Sequence, residues 1–156
     1  MNILVSRCLL GELCRYDGAS KPVEEIRKLE KEGYTLIPVC PEAEGGLPTP
    51  RPPAEIQKDG RVVNCLGADV TQQYQTGARR ALELARIYGC TMAILKEKSP
   101  SCGNGQIYDG SFTGTLIPGQ GVTAELLTQN GIRVFGESNF SGCLDAEGEN
   151  KNSMNR

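Results

Sequence analysis

Asn2-Ile3-Leu4-Val5-Ser6-Arg7-Cys8-Leu9-Leu10-Gly11 is the stretch from which the rest of this chain is best read. Ile3, Leu4 and Val5 form a short, partly β-branched apolar run, and Gly11 marks a turn after it, so the segment predicts a buried strand that delivers Cys8 to a loop. The same pattern recurs. Tyr34 to Val39 is a second short apolar run, ending at Cys40-Pro41, where proline stops a strand from continuing. Thr91 to Leu95 is a third, and the loop after it, Lys96-Glu97-Lys98-Ser99-Pro100-Ser101-Cys102-Gly103, carries another cysteine.

Helical periods lie between these runs. Pro22 at a helix start, with Val23, Ile26 and Leu29, predicts an amphipathic helix that stops at Gly33. Asp69-Val70-Thr71 caps a longer helix through Tyr74, Ala78, Ala81, Leu82 and Ala85 to Tyr88, ending at Gly89. Gly119 and Gly121 precede a short helix from Val122 to Gln129, closed by Asn130-Gly131, and Ile132 to Phe135 reads as a last strand. Residues 41 to 53, with two glycines and five prolines, read as a long stiffened loop containing Arg51. Repeated strand–helix order predicts an α/β fold: a single domain with a mostly parallel open sheet and helices on both faces, a Rossmann-like three-layer arrangement. The domain is expected over residues 1–140, with 141–156 a flexible C-terminal tail.

Composition narrows the chemistry. At 156 residues and a net formal charge of −2, the chain has room for one core and lacks the basic footprint of non-specific nucleic-acid binding. No run of about 18 apolar residues and no secretory pattern is visible, so no membrane partner and a cytoplasmic location are expected. In a reducing compartment seven cysteines argue for ligand or catalytic roles over a disulfide framework. There is no histidine, so an acid or base working near neutral pH must be a carboxylate, Lys, Cys, Tyr or metal-bound water.

Loops at the carboxyl ends of parallel strands converge on one crevice. Cys8, Cys40 and Cys102 all occupy such loops, so three thiolates can meet there. Three cysteines without an equivalent fourth suit a [4Fe-4S] cluster with one iron open to substrate, because an electron-transfer cluster takes four Cys ligands. The bland alternative is that each is a small buried hydrophobe at a strand end. Cys65, Cys90 and Cys143 fit packing or incidental roles, while Cys14, six residues after Cys8, is an alternative fourth ligand or persulfide carrier.

Taken together, several segments resemble the thiouracil desulfurase-like family: Ser6-Arg7-Cys8-Leu9-Leu10-Gly11, Arg15-Tyr16-Asp17-Gly18, Val39-Cys40-Pro41-Glu42, Gly45-Gly46-Leu47-Pro48, Pro50-Arg51, Gly67-Ala68-Asp69-Val70-Thr71, Gly77-Ala78, Leu95 through Gly103, and Gly119-Gln120-Gly121-Val122. The likeness runs from about residue 2 to 138. It implies a [4Fe-4S] cluster held by Cys8, Cys40 and Cys102, and desulfuration of a small thiolated base such as thiouracil to uracil and sulfide with water as nucleophile.

With histidine absent, Glu42, two residues after a ligand, is the first choice for the base, and Glu44 in the same loop is the second. Ser101, beside Cys102, is a candidate to hydrogen-bond substrate or relay a proton, although a serine in a Ser-Pro-Ser turn equally serves local backbone bonds. Arg51, Lys96 and Lys98 are candidates to orient a pyrimidine or offset thiolate charge, with a solvated cation the plainer reading of Lys98. Asp17 is left between anchoring substrate and capping, and capping is the economical role for Asp69. Three other functions compete: desulfuration of a thiolated nucleoside or tRNA, a metal-free cysteine or persulfide sulfur carrier, and a structural metal-binding interaction module.

Overall fold

Asn2–Ser6 forms β1, whose Ile3, Leu4 and Val5 are fully buried, and pairs in parallel with β2 (Thr35–Val39) on one side and β5 (Met92–Leu95) on the other. β8 (Arg133–Gly136) extends the sheet beyond β5, giving the parallel order β2-β1-β5-β8. In the computed structural model, which describes residues 1–20 and 22–141, the α/β order expected from the sequence is therefore realised. The tail expected over 141–156 lies, apart from its first residue, outside the described residues, as does Cys143.

Each face of the sheet has its own apolar cluster. On one, α3 (Thr71–Ile87) and α4 (Val122–Gln129) place Ala81, Leu82, Ala85, Ala124 and Leu127 against Leu4, Val39, Ala93 and Leu95. On the other, Ile26 and Leu29 pack with Ile3, Val5, Met92 and Ile94. The helix expected from Pro22 to Gly33 is broken: α1 is a single α turn, Glu24–Arg27, which tightens into a 3-10 turn over Lys28–Glu32 before the left-handed Gly33. Just before α3, Asp69 Oδ1 accepts hydrogen bonds from the amide and the hydroxyl of Thr71; the N-cap position is Val70, so Asp69 closes a turn ahead of the helix and does not occupy the cap expected of it.

The loop expected over residues 41–53 begins instead with a short helix, α2 (Pro41–Glu44), opened by proline at its first position. Two glycines set it hard against α3: a Cβ on Gly77 would lie 1.9 Å from the carbonyl oxygen of Pro41, and one on Gly45 would lie 1.9 Å from that of Gln73. No larger residue permits that approach.

Two antiparallel hairpins complete the chain. The first joins β3 (Ala54–Ile56) to β4 (Val62–Asn64), and the second joins β6 (Asn104–Tyr108) to β7 (Leu116–Gln120). Neither belongs to the central sheet. The first lies between α2 and α3, the second between β5 and α4, so both hang from connections that leave the carboxyl edge of the sheet.

Candidate functional site

The direction of crossover changes at β1 and β5: the chain goes from β1 to β2 on one side and from β5 to β8 on the other. A crevice opens at such a point in an open α/β sheet, beyond the carboxyl ends of the strands. Here it is a cavity of about 520 Å³, a volume suited to a small molecule or cofactor.

Cys8 follows β1 within a 3-10 turn, Cys40 follows β2 directly, and Cys102 lies beyond β5; all three are buried, free thiols, and all line this cavity. Cys14 lines it too, and the Cys40 Sγ donates to the Cys14 carbonyl at 3.7 Å. The site therefore presents four buried sulfurs. Cys65 also reaches the cavity wall but is exposed, and Cys90 is buried in the α3/α4 core, as its packing role predicts.

Burial, then the charge of Glu42, pushes the Cys102 thiol up to about 12. Cys40 is pushed up as well, first by its hydrogen bond with Cys14 and then by burial. For Cys14 the contact with Cys40 pulls downward, but its contact with Cys8 and its burial prevail, raising it to about 11. Ser6, at the end of β1, holds Cys102 from behind: its hydroxyl lies 3.7 Å from Sγ and accepts the Lys96 amide at 2.9 Å.

These residues fit a polynuclear cluster. Thiols are the soft donors iron–sulfur chemistry requires, and here they are sheltered from solvent yet face a common space. Among the described residues no three His, Cys, Asp or Glu side chains gather as a mononuclear ion needs. A cluster instead takes its ligands at separate corners.

α2 turns Glu42 toward the cavity and leaves Glu44 exposed to solvent, outside it. Glu42 Oε2 accepts from Arg51 Nε and pairs with Arg51 Nη2, each at 2.8 Å, and Oε1 accepts from Ser99 Oγ at 3.2 Å. Arg51 also donates to Pro48 O, Thr49 Oγ1 and Cys14 O, so its guanidinium is occupied in holding Glu42 and the Cys14 loop rather than open to substrate. Tyr74 of α3 lies beside this pair; burial first, then the charge of Glu42, pushes its hydroxyl well up and keeps it a proton donor.

Ser101 does not face the cavity. It is fully buried and its hydroxyl bonds to Thr123 Oγ1 of α4 at 2.7 Å. Of the two serines in this loop it is Ser99 that lines the cavity; its hydroxyl bonds Glu42 and accepts the amides of Ser101 and Cys102 at 3.0 and 3.1 Å. Lys96 lines the cavity but its ammonium is bound to Glu97 O and Glu137; Lys98 is exposed at the wall. Asp17 is exposed, paired with Arg15 and bonded to the Ala19 amide. Ser6 and Ser99 had no signal in the sequence beyond proximity to Cys8 and Cys102, and Tyr74 none beyond its place in the helical period of α3.

A family model described as 2-thiouracil desulfurase matches residues 3–139. The chain belongs to the 2-thiouracil desulfurase family. Among relatives of this family, an uncharacterised protein, YbbK, of Bacillus subtilis (strain 168) is 45% identical over 151 residues, covering 91% of this chain and 99% of that one. A solved structure of TudS, a [4Fe-4S]-dependent thiouracil desulfidase, is 46% identical and superposes with a TM-score of 0.89, covering 94% of this chain and 97% of the other. Among the described residues of this family member, no helix is long and apolar enough to cross a membrane.

Proposed function

We propose that this chain removes sulfur from a small thiolated pyrimidine of the thiouracil type. In the reaction a C=S group and one water become a C=O group and hydrogen sulfide. The observation that carries the reading is the set of buried thiols around one cavity, with a held carboxylate two residues from Cys40, in a chain so similar to a [4Fe-4S]-dependent thiouracil desulfidase.

Cys8, Cys40 and Cys102 are the residues that would hold the [4Fe-4S] cluster, each from a different loop. When bound, the cluster supplies Lewis acidity toward the thiocarbonyl sulfur. Everything else falls to side chains. Three carboxylates line the cavity, and two have other duties: Glu55 Oε1 accepts the amides of Gly110 and Phe112, and Glu97 Oε1 accepts the amide and hydroxyl of Ser138. Glu42 is the remaining one. It takes the proton from the attacking water and returns it toward the departing sulfur, with Arg51 fixing Oε2 so that Oε1 keeps its aim. Ser99 donates to Oε1 and is placed to pass a proton along that edge.

The test is anaerobic purification with iron and acid-labile sulfide analysis, followed by turnover of thiouracil with detection of uracil and sulfide. Iron and sulfide in equal amounts together with both products support the assignment. An iron-free protein that desulfurates at the full rate would remove the cluster from the scheme, and a loaded protein that leaves thiouracil intact would remove the substrate.

A further inference from the structure

The two hairpins contribute Ala54, Glu55, Tyr108, Phe112 and Gly114 to the lining of the cavity, and this part of the wall contains a backbone anomaly. Among the described residues, only Lys98 (φ 68°) and Phe112 (φ 59°) take left-handed backbone without being glycine, and both line this cavity. For a bulky aromatic residue that conformation is unfavourable, and such strain persists only where surrounding structure imposes it.

The imposing structure is visible. Glu55 of β3, a buried carboxylate, accepts the Gly110 amide at 2.9 Å and the Phe112 amide at 3.1 Å on the same oxygen. Gln57 Nε2 donates to the Gly110 carbonyl at 3.2 Å. The tip of the second hairpin is thus clamped to the first, and the clamp fixes the backbone of Phe112.

What the clamp achieves is the placement of a ring. Phe112 joins none of the three apolar clusters and remains 38% exposed, so packing does not explain why an aromatic is held there. Phe112 lines the same cavity as the thiols and Glu42. A flat, unsaturated heterocycle with its sulfur directed at the thiols needs a surface against its face, and an aromatic ring supplies one whatever the ring's substituents.

We infer that Phe112 is the stacking platform for the pyrimidine ring, and so a specificity-determining residue selecting thiocarbonyl compounds that carry a flat unsaturated ring over acyclic thioamides and thioureas. The inference rests on the reading of the substrate as a thiolated pyrimidine. Stacking acts on substrate and transition state alike, so it acts on KM with little effect on kcat.

Three variants separate stacking from bulk and from backbone strain. With the cluster-loaded enzyme, Phe112→Leu keeps apolar volume without a π face, and is expected to raise KM for thiouracil about ten-fold, with kcat within a factor of about two and iron content unchanged. Phe112→Gly relieves the left-handed backbone; it is expected to raise KM at least as much while the unfolding temperature holds or rises. Phe112→Tyr keeps the ring and is expected to restore the wild-type KM.

The chain contains no tryptophan, so Phe112→Trp installs a single reporter. Uracil, which has the ring without the sulfur, is expected to quench its fluorescence saturably and to leave that of Ile87→Trp, at an exposed position on α3, unaffected. An unchanged KM in both Phe112→Leu and Phe112→Gly overturns the inference, as does loss of iron from Phe112→Leu or absence of quenching. If the wild-type enzyme ignores thiouracil while uracil still quenches Phe112→Trp, the reaction assignment fails and the ring-binding platform stands.

Discussion

Arg51 grips Glu42 from one side only: Nε and Nη2 both meet Oε2 at 2.8 Å, and Oε1 is left to Ser99. The two side chains retain 5% and 13% of their exposure, so this is a nearly dry ion pair, and removing one partner strands the other's charge. Arg51→Met is expected to destabilise the protein by about 3–5 kcal/mol in denaturant unfolding. Arg51→Lys retains the charge but not the planar fork that also reaches Pro48, Thr49 and Cys14, and is expected to recover part of that stability with kcat below that of the wild type.

Glu42→Gln preserves shape and removes the base. Turnover of thiouracil is expected to fall by roughly 10²–10⁴ with iron and labile sulfide unchanged, measured on the same preparation. Normal turnover in this variant would transfer the proton-accepting role to solvent.

The two serines of the Cys102 loop make opposite predictions. Ser99→Ala removes a hydroxyl that touches Glu42 and caps two amides of the ligand loop, and is expected to lower kcat. Ser101→Ala leaves Thr123 without its buried partner, and is expected to cost about 1–3 kcal/mol of stability with kcat retained. A thermal melt beside an initial-rate assay distinguishes them.

Replacing the thiols one at a time tests the ligand set. Cys8→Ser, Cys40→Ser and Cys102→Ser are each expected to lose iron, while Cys14→Ser keeps it. Equal loss in all four would make Cys14 a ligand.

Gly77→Ala places a methyl group 1.9 Å from Pro41 O, a distance the backbone cannot absorb without moving α2. Since α2 carries Glu42, a lowered unfolding temperature and a lowered kcat are expected together. An exposed control such as Arg79→Ala on the same helix should change neither.

The thiols were legible in the sequence because a strand boundary is written locally: an apolar run, then Pro41 or the Gly11 turn, places Cys40 and Cys8 without knowledge of the rest. The parallel sheet followed from the same runs and the helices between them. The hairpins left little trace, since β6 buries only Ile107 and β7 contains Pro118 and Gly119, so neither shows the alternation of a half-buried strand. Which serine faces the cavity was equally hidden. Ser99 and Ser101 are two residues apart in one turn, and Thr123, distant in sequence, captures Ser101. Arg51 was visible as a cation but not as the partner of Glu42, because the chain between them turns back through Gly45, Gly46, Pro48 and Pro50.

The separation of the hairpins from the central sheet has an evolutionary consequence. The strands that set the spacing of the sulfurs are distinct from the hairpins, which add no strand to that sheet. Changes in hairpin length or tip sequence can accumulate without perturbing the inorganic chemistry. Diversification of substrate range in this lineage is therefore expected to be recorded between residues 54 and 64 and between 104 and 120, with the thiol-bearing turns held constant.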